Sequence, residues 1–289
     1  MNRNDDTAAW VKQIIQDFIL GSPDNILQGL FIEKAWERAL VGFSSGNDPL
    51  YLEYKEKYIG RFHWTPFEAF NLAFPDARAQ AGDLTVISWI LPQTEATRAD
   101  NRREKAFPAE RWVRSRIFGE AFNDKLRLHV VESLALRGVK AVAPVLLTQW
   151  SRTESEQYGF ASTWSERHAA YAAGLGTFGL CDGLITPFGK AVRFGSAVAH
   201  VEIPVTPRPY SDPHAYCLFY ARGTCKKCVD RCPVGAISEA GHDKYKCDAH
   251  LRPATAEYAR ANYHLDGFGC GLCQTGVPCE NRIPLKRDG

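Results

Sequence analysis

The chain has 289 residues, of which 45% are hydrophobic and 24% charged, the balance of an ordinary folded protein with enough chain for a core. Its 35 basic and 33 acidic residues leave a formal charge of +2, which makes no strong electrostatic case for a nucleic-acid-binding or membrane-surface protein. No stretch approaches the ~18–20 uninterrupted apolar residues of a membrane span, and the opening MNRNDDTAAW has no export-signal pattern, so the expected location is cytoplasmic.

In chain order, Trp10, Ile14, Ile15, Phe18 and Ile19 share one face of a helix predicted over 7–20 and stopped by Gly21. Residues 83–91, DLTVISWIL, read as a strand ending at Pro92. The amphipathic pattern of Val113, Ile117, Ala121, Leu128 and Val131 predicts one long helix over 111–137, closed by Gly138. Residues 139–147 read as a strand broken only by Pro144, 164–173 as a helix, and 191–205 as one or two strands. Strands alternating with long helices predict an α/β or α+β fold up to about residue 205. Four prolines in 204–213 then predict a stiff extended linker, with domains at 1–210 and 211–289 on either side. The second has so little apolar sequence that bound metal is expected to stabilise it.

Eight of the nine cysteines lie between Cys217 and Cys279. The run Cys225-Lys-Lys-Cys228-Val-Asp-Arg-Cys232-Pro233 matches the last three ligands of the bacterial ferredoxin pattern C-x2-C-x2-C-x3-C-P. Tight C-x2-C turns aim backbone N–H groups at sulfur, and the cysteine before the proline is carried to a second cluster. The position of the missing first ligand is Arg222, and Cys217 is the natural substitute. Cys247, Cys270, Cys273 and Cys279 complete eight ligands. The cross-over rule predicts one [4Fe–4S] cluster on Cys217, Cys225, Cys228 and Cys279, and another on Cys232, Cys247, Cys270 and Cys273. Cys217 and Cys279 fit the pattern least well, because Cys273 and Cys279 are separated by five residues and Glu280 follows where proline is usual. Two zinc sites of four cysteines each are the rival reading, but C-x2-C-x3-C-P is not a zinc-ribbon pattern.

Gly174-Leu-Gly176-Thr-Phe-Gly179 matches G-x-G-x-x-G, yet a helix is predicted before it and a strand after it, the reverse of a dinucleotide site. The glycines either allow close packing or form a turn over which a flat cofactor lies. This loop within 164–180, WSERHAAYAAGLGTFGL, together with 183–196, GLITPFGKAVRFGS, 111–123, RWVRSRIFGEAFN, and 141–144, AVAP, resembles the corrinoid-dependent reductive dehalogenases and, more distantly, the epoxyqueuosine reductases.

The resemblance implies a nitroreductase-like cobalamin-binding domain followed by a ferredoxin-like domain with two [4Fe–4S] clusters. It implies an oxidoreductase in which a reduced ferredoxin or flavodoxin feeds the clusters and a corrinoid reductively cleaves a small organic substrate. Cobalamin would lie along Gly174, Gly176, Thr177, Phe178, Gly179, Ile185, Thr186, Arg193, Gly195 and Ser196. A tyrosine proton donor with a nearby cation is implied too, for which Tyr158, Tyr171 and Lys190 are the candidates, each opposed by an ordinary packing or surface role. The epoxyqueuosine branch carries an acidic donor in a D-x-x-P-x-x-E context. Aligned on Glu166, its Asp and Pro positions are Phe160 and Thr163, and many tRNA-acting members add a helical-repeat extension not seen here, so the dehalogenase-like branch is favoured. A corrinoid carrier, or a two-cluster electron-transfer protein without organic turnover, is the alternative. Cys181 reads as a buried inert thiol, and His250 and His264 as neighbours that tune a cluster.

Overall fold

The computed structural model describes residues 3–29 and 31–285. Eight strands precede the cysteine-rich segment: β1 (Leu40–Ser45), β2 (Thr85–Pro92), β3 (Ala141–Val142), β4 (Arg152–Ser155), β5 (Gly159–Ser162), β6 (Thr177–Phe178), β7 (Leu184–Ile185) and β8 (Val192–Ala199). One four-stranded sheet has the order β1-β2-β8-β3, and its pairings are all antiparallel. β4–β5 and β6–β7 are separate two-stranded ladders.

Every residue of β2 is buried, because both faces of the sheet are covered. Ile87, Trp89 and Leu91 point to the side where the helices Arg3–Gly21 and Glu120–Ala135 pack through Val11, Ile15, Phe122 and Leu126. Val86 and Ile90 point to the other side, against Phe70 of the helix Pro66–Ala73 and Ala169 and Ala170 of the helix Glu166–Ala172. The fold is thus a mixed α/β one, helices on both faces of an antiparallel sheet. Gly195 on β8 lies where any side chain would collide with the Trp89 indole.

The helix predicted over 111–137 is helical over most of its length, but its regular hydrogen bonding is interrupted. A π-helical turn at Ser115–Gly119 separates Glu110–Arg114 from Glu120–Ala135. The Trp36 indole packs on Gly119 and donates to its carbonyl at 3.0 Å. The strand predicted over 139–147 shrinks to Ala141–Val142, since Pro144 opens a 3-10 turn. The proline-rich stretch 204–213 is extended and strapped to the sheet. Thr206 donates from its N–H to the Phe43 carbonyl at 2.9 Å, Arg208 pairs with Asp48 at 2.6 Å, and Tyr210 donates to the Tyr171 carbonyl at 2.8 Å.

Candidate iron–sulfur site

All nine cysteines are free thiols. Cys217, Cys225, Cys228 and Cys279 line a single cavity, together with Gly179, Ile185 and Lys190. These are the four expected to share the first cluster, and they include Cys217 and Cys279, whose spacing fitted the pattern least well. Cys232 and Cys247 stand close enough to Cys270 to oppose its ionisation, and Cys273 stands by Cys270. Burial, with these neighbours adding to it, pushes Cys270 up to about 11, and burial does the same to Cys279. Crowded buried thiols that resist ionising are the state a metal cluster resolves, since it binds them as thiolates. The Ala236 N–H donates to Cys232 Sγ at 3.1 Å, the backbone-to-sulfur contact expected of such a loop. Among the described residues, no three or more His, Cys, Asp or Glu side chains are gathered about one point as a single ion requires. The four thiols of a cubane hold four different irons, so what they share is a cavity.

Neighbouring elements hold the cysteine segment in place. The Arg231 guanidinium donates to the carbonyls of Leu272, Thr275, Glu104 and Asn101, at 2.7–3.2 Å. Glu280, the residue in place of the usual proline, is 6% exposed. It pairs with Arg102 at 2.6 Å and accepts the Gly276 N–H at 2.6 Å. Its carboxylate therefore fastens the end of the segment to the helix Glu95–Arg103.

Cys181 is buried, as expected, but it has partners. Its thiol makes hydrogen-bonding contacts with Cys228 of the first set and Cys273 of the second, and it accepts from Lys190 Nζ at 3.2 Å. Lys190 was a candidate partner for a substrate or a corrin. It is 3% exposed and turned into the cysteine cavity. Tyr171 is buried, its ring tilted against those of Phe178 and Tyr210. Tyr158 alone of the three stands at the surface, 45% exposed, with Lys244 Nζ 5.1 Å from its ring centre. Desolvation, then Asp182, raises the Tyr158 pKa, and the lysine lies over the ring face where it does not reverse this.

Of the expected tuning histidines, His264 is exposed just past the helix Thr255–Tyr263, and His250 packs by Phe107. A histidine beside a candidate ligand is His242, which is close to Cys247 and lies 3.1 Å from Asp182. No sequence pattern marks it, because the contact forms only when Asp182, next to Cys181, folds over the cysteine segment.

No protein-family model matches the chain. Epoxyqueuosine reductase of Bacillus anthracis is 34% identical over 119 residues, 39% of this chain and 29% of that protein. Tetrachloroethene reductive dehalogenase of Desulfitobacterium hafniense is 35% identical over 124 residues, 40% of this chain and 20% of that protein. The chain is thus similar to both kinds of reductase. The matched stretch spans less than a third of either relative. The solved structure of a catabolic reductive dehalogenase in complex with 3-bromo-4-hydroxybenzoic acid has the same fold. It aligns with a TM-score of 0.51 at 14% identity, over 98% of this chain and 38% of that one.

The superfamily resemblance placed a corrin along residues 174–196, and the packing there tests that placement. Thr177, Ile185, Thr186 and Ser196 are 0% exposed. A side-chain carbon at Gly176 would strike the Ile185 carbonyl, one at Gly174 the Pro207 carbonyl, and one at Gly195 the Trp89 indole. At Gly179 it would press on the Ile185 side chain. The glycines there serve close packing, and of the residues expected to line a corrin Phe178 and Arg193 are the half-buried side chains.

Proposed function

We propose that this chain is an iron–sulfur oxidoreductase that accepts electrons one at a time from a reduced ferredoxin or flavodoxin and delivers them to a small organic substrate. The observation that carries the reading is the single cavity shared by Cys217, Cys225, Cys228 and Cys279, four residues that the cross-over of a two-cluster ferredoxin pattern brings together. In this reading the mixed α/β unit is the nitroreductase-like part and the segment from about residue 211 is ferredoxin-like. Cys232, Cys247, Cys270 and Cys273 would hold the second cluster. A [4Fe–4S] cluster, when bound, supplies one-electron transfer at low potential.

The chain's own residues wall the first cavity and bring Cys181 against one thiol of each set. Tyr158, the surface-exposed one of the candidates, is the proposed proton source. No step is assigned to cobalamin. We read the dehalogenase-like branch as the nearer one. Phe160 and Thr163 stand at the donor positions of the other branch, and Glu166 is tied to Arg127 at 3.1 Å and to the Ser196 hydroxyl at 2.5 Å. Both branches supply relatives of similar identity, so the nucleoside substrate is tested beside the halide.

The test is anaerobic turnover with reduced ferredoxin, offering a halogenated phenol or epoxyqueuosine. Halide release with replacement of C–X by C–H, consuming two electrons and one proton, supports the reading. Queuosine formation moves the protein to the other branch. Reversible electron exchange between ferredoxin and the clusters, reduced ferredoxin giving electrons and oxidised ferredoxin taking them back, with neither product formed, makes the protein an electron carrier.

A further inference from the structure

Nothing above uses the charge buried among the cysteines. Residues 186–189 form a tight turn, with the Gly189 N–H donating to the Thr186 carbonyl at 2.8 Å. Lys190 then donates its backbone N–H to the Cys279 carbonyl at 2.8 Å, and Ala191 to the Glu280 carbonyl at 3.1 Å. Gly189 has φ +76°, and any side chain there would run into the Glu280 backbone. Only glycine lets the two stretches of chain lie this close. The main chain of Lys190 is thereby fixed to a cluster ligand, and its side chain is directed inward beside Cys217, Cys225 and Cys228.

An ammonium taken out of water needs a counter-charge close by. Lys190 is 3% exposed, and no carboxylate pairs with it among the described residues. The groups whose negative charge would offset its burial are cysteines, in the order Cys181, Cys279, Cys228 and Cys273. Cys181, which accepts from Lys190 at 3.2 Å and is held towards its thiolate by Cys228, Cys273 and Lys190, supplies part of that charge, and the other three supply none while they are neutral thiols. A cluster on four thiolates carries net negative charge, one unit more when reduced, and a fixed positive charge favours the reduced form.

We propose that Lys190 is the counter-charge of the first cluster and raises its reduction potential relative to the second, so that electrons entering the pair collect in the first cavity. The proposal rests on the two-cluster reading. Two of the ligands that the ammonium feels, Cys279 and Cys228, belong to the first set and one, Cys273, to the second, so both potentials respond and the first responds more.

The experiment is a redox titration followed by electron paramagnetic resonance, on the full chain reconstituted anaerobically with iron and sulfide. Cys225→Ser identifies the first cluster's signal by its loss. Lys190→Met, with full iron, is expected to shift the first midpoint to more negative values and the second by less, and Lys190→Arg to restore it. Full iron with both midpoints unchanged in Lys190→Met overturns the proposal. If the Met variant takes up no iron while the Arg variant does so at the wild-type midpoint, the charge requirement stands. If neither variant loads, the side chain's shape is what matters and the proposal is wrong. A wild-type chain that binds no iron overturns the two-cluster reading itself.

Discussion

Arg127 is held almost wholly out of water, and its guanidinium meets Glu120 at 3.1 Å, Asp124 at 2.6 Å, Glu166 at 3.1 Å and the Phe194 carbonyl at 2.9 Å. Burial raises the Glu166 pKa, with Arg127 opposing it, so the carboxylate depends on this cation. Arg127→Met should therefore destabilise the fold by about 3–5 kcal/mol, because it strands buried acids. The check is thermal unfolding of the variant against wild type, and a loss below about 1 kcal/mol would show that the acids are paired elsewhere. Glu166, Arg127 and Lys190 look alike in a sequence, as charges on predicted helix or loop. What separates them is burial, set by residues far along the chain, and that is why Lys190 read as a substrate contact. The cysteine sets are read without that help, from the local spacing of Cys225–Cys232 and the cross-over rule.

At the scale of elements, the sequence shows period and punctuation well and hydrogen-bond detail poorly. The face of Trp10, Ile14, Ile15, Phe18 and Ile19 does form a helix, and DLTVISWIL does form a central strand. The π-turn at Ser115–Gly119 was not legible, since the Trp36 indole seated on Gly119 comes from a distant part of the chain. Glycines in turns were legible as glycines but not by purpose. Gly271, inside Cys270-Gly-Leu-Cys273, has φ +65° and leaves no room for a side chain beside Trp112. Gly271→Ala is expected to cost at least about 1–2 kcal/mol for the left-handed backbone alone, and more as Trp112 is displaced. Lower unfolding temperature together with weaker iron retention is the predicted pair of readouts. Unchanged values for both would mean that Trp112 and the Cys270–Cys273 turn are not packed as described.

For the molecule as a whole, the cysteine segment and the α/β unit are held to each other by buried polar contacts. Arg231 and Glu280 are the main ones, with Asn101 donating to the Cys270 carbonyl at 3.3 Å. The core carries its own pH limit. His63 is 1% exposed, donates Nδ1–H to the Ser162 carbonyl at 3.0 Å, and is lowered to about 4 by burial. The unfolded chain binds that proton near ~6.5. Above that pH His63 is neutral in both states and its contribution is complete. As pH falls through the window down to about 4, the unfolded state gains protons that the folded state cannot, and stability is lost, by roughly 3 kcal/mol if the full shift is realised. His63→Asn should lower stability near neutrality yet flatten its fall between these pH values, relative to wild type. Parallel pH profiles would show that His63 titrates freely in the fold.

The architecture, two cysteine sets and a superfamily fold, leads to one question that iron settles. Iron, acid-labile sulfide, zinc and cobalt should be counted per chain on protein produced anaerobically with cobalamin supplied. About eight irons and about eight sulfides, with no zinc and no cobalt retained on residues 174–196, are predicted by two cubane clusters beside a closed glycine loop. Zinc in place of iron would contradict the central claim, and one cobalt per chain would show that the chain binds a corrin despite the close packing at residues 174–196.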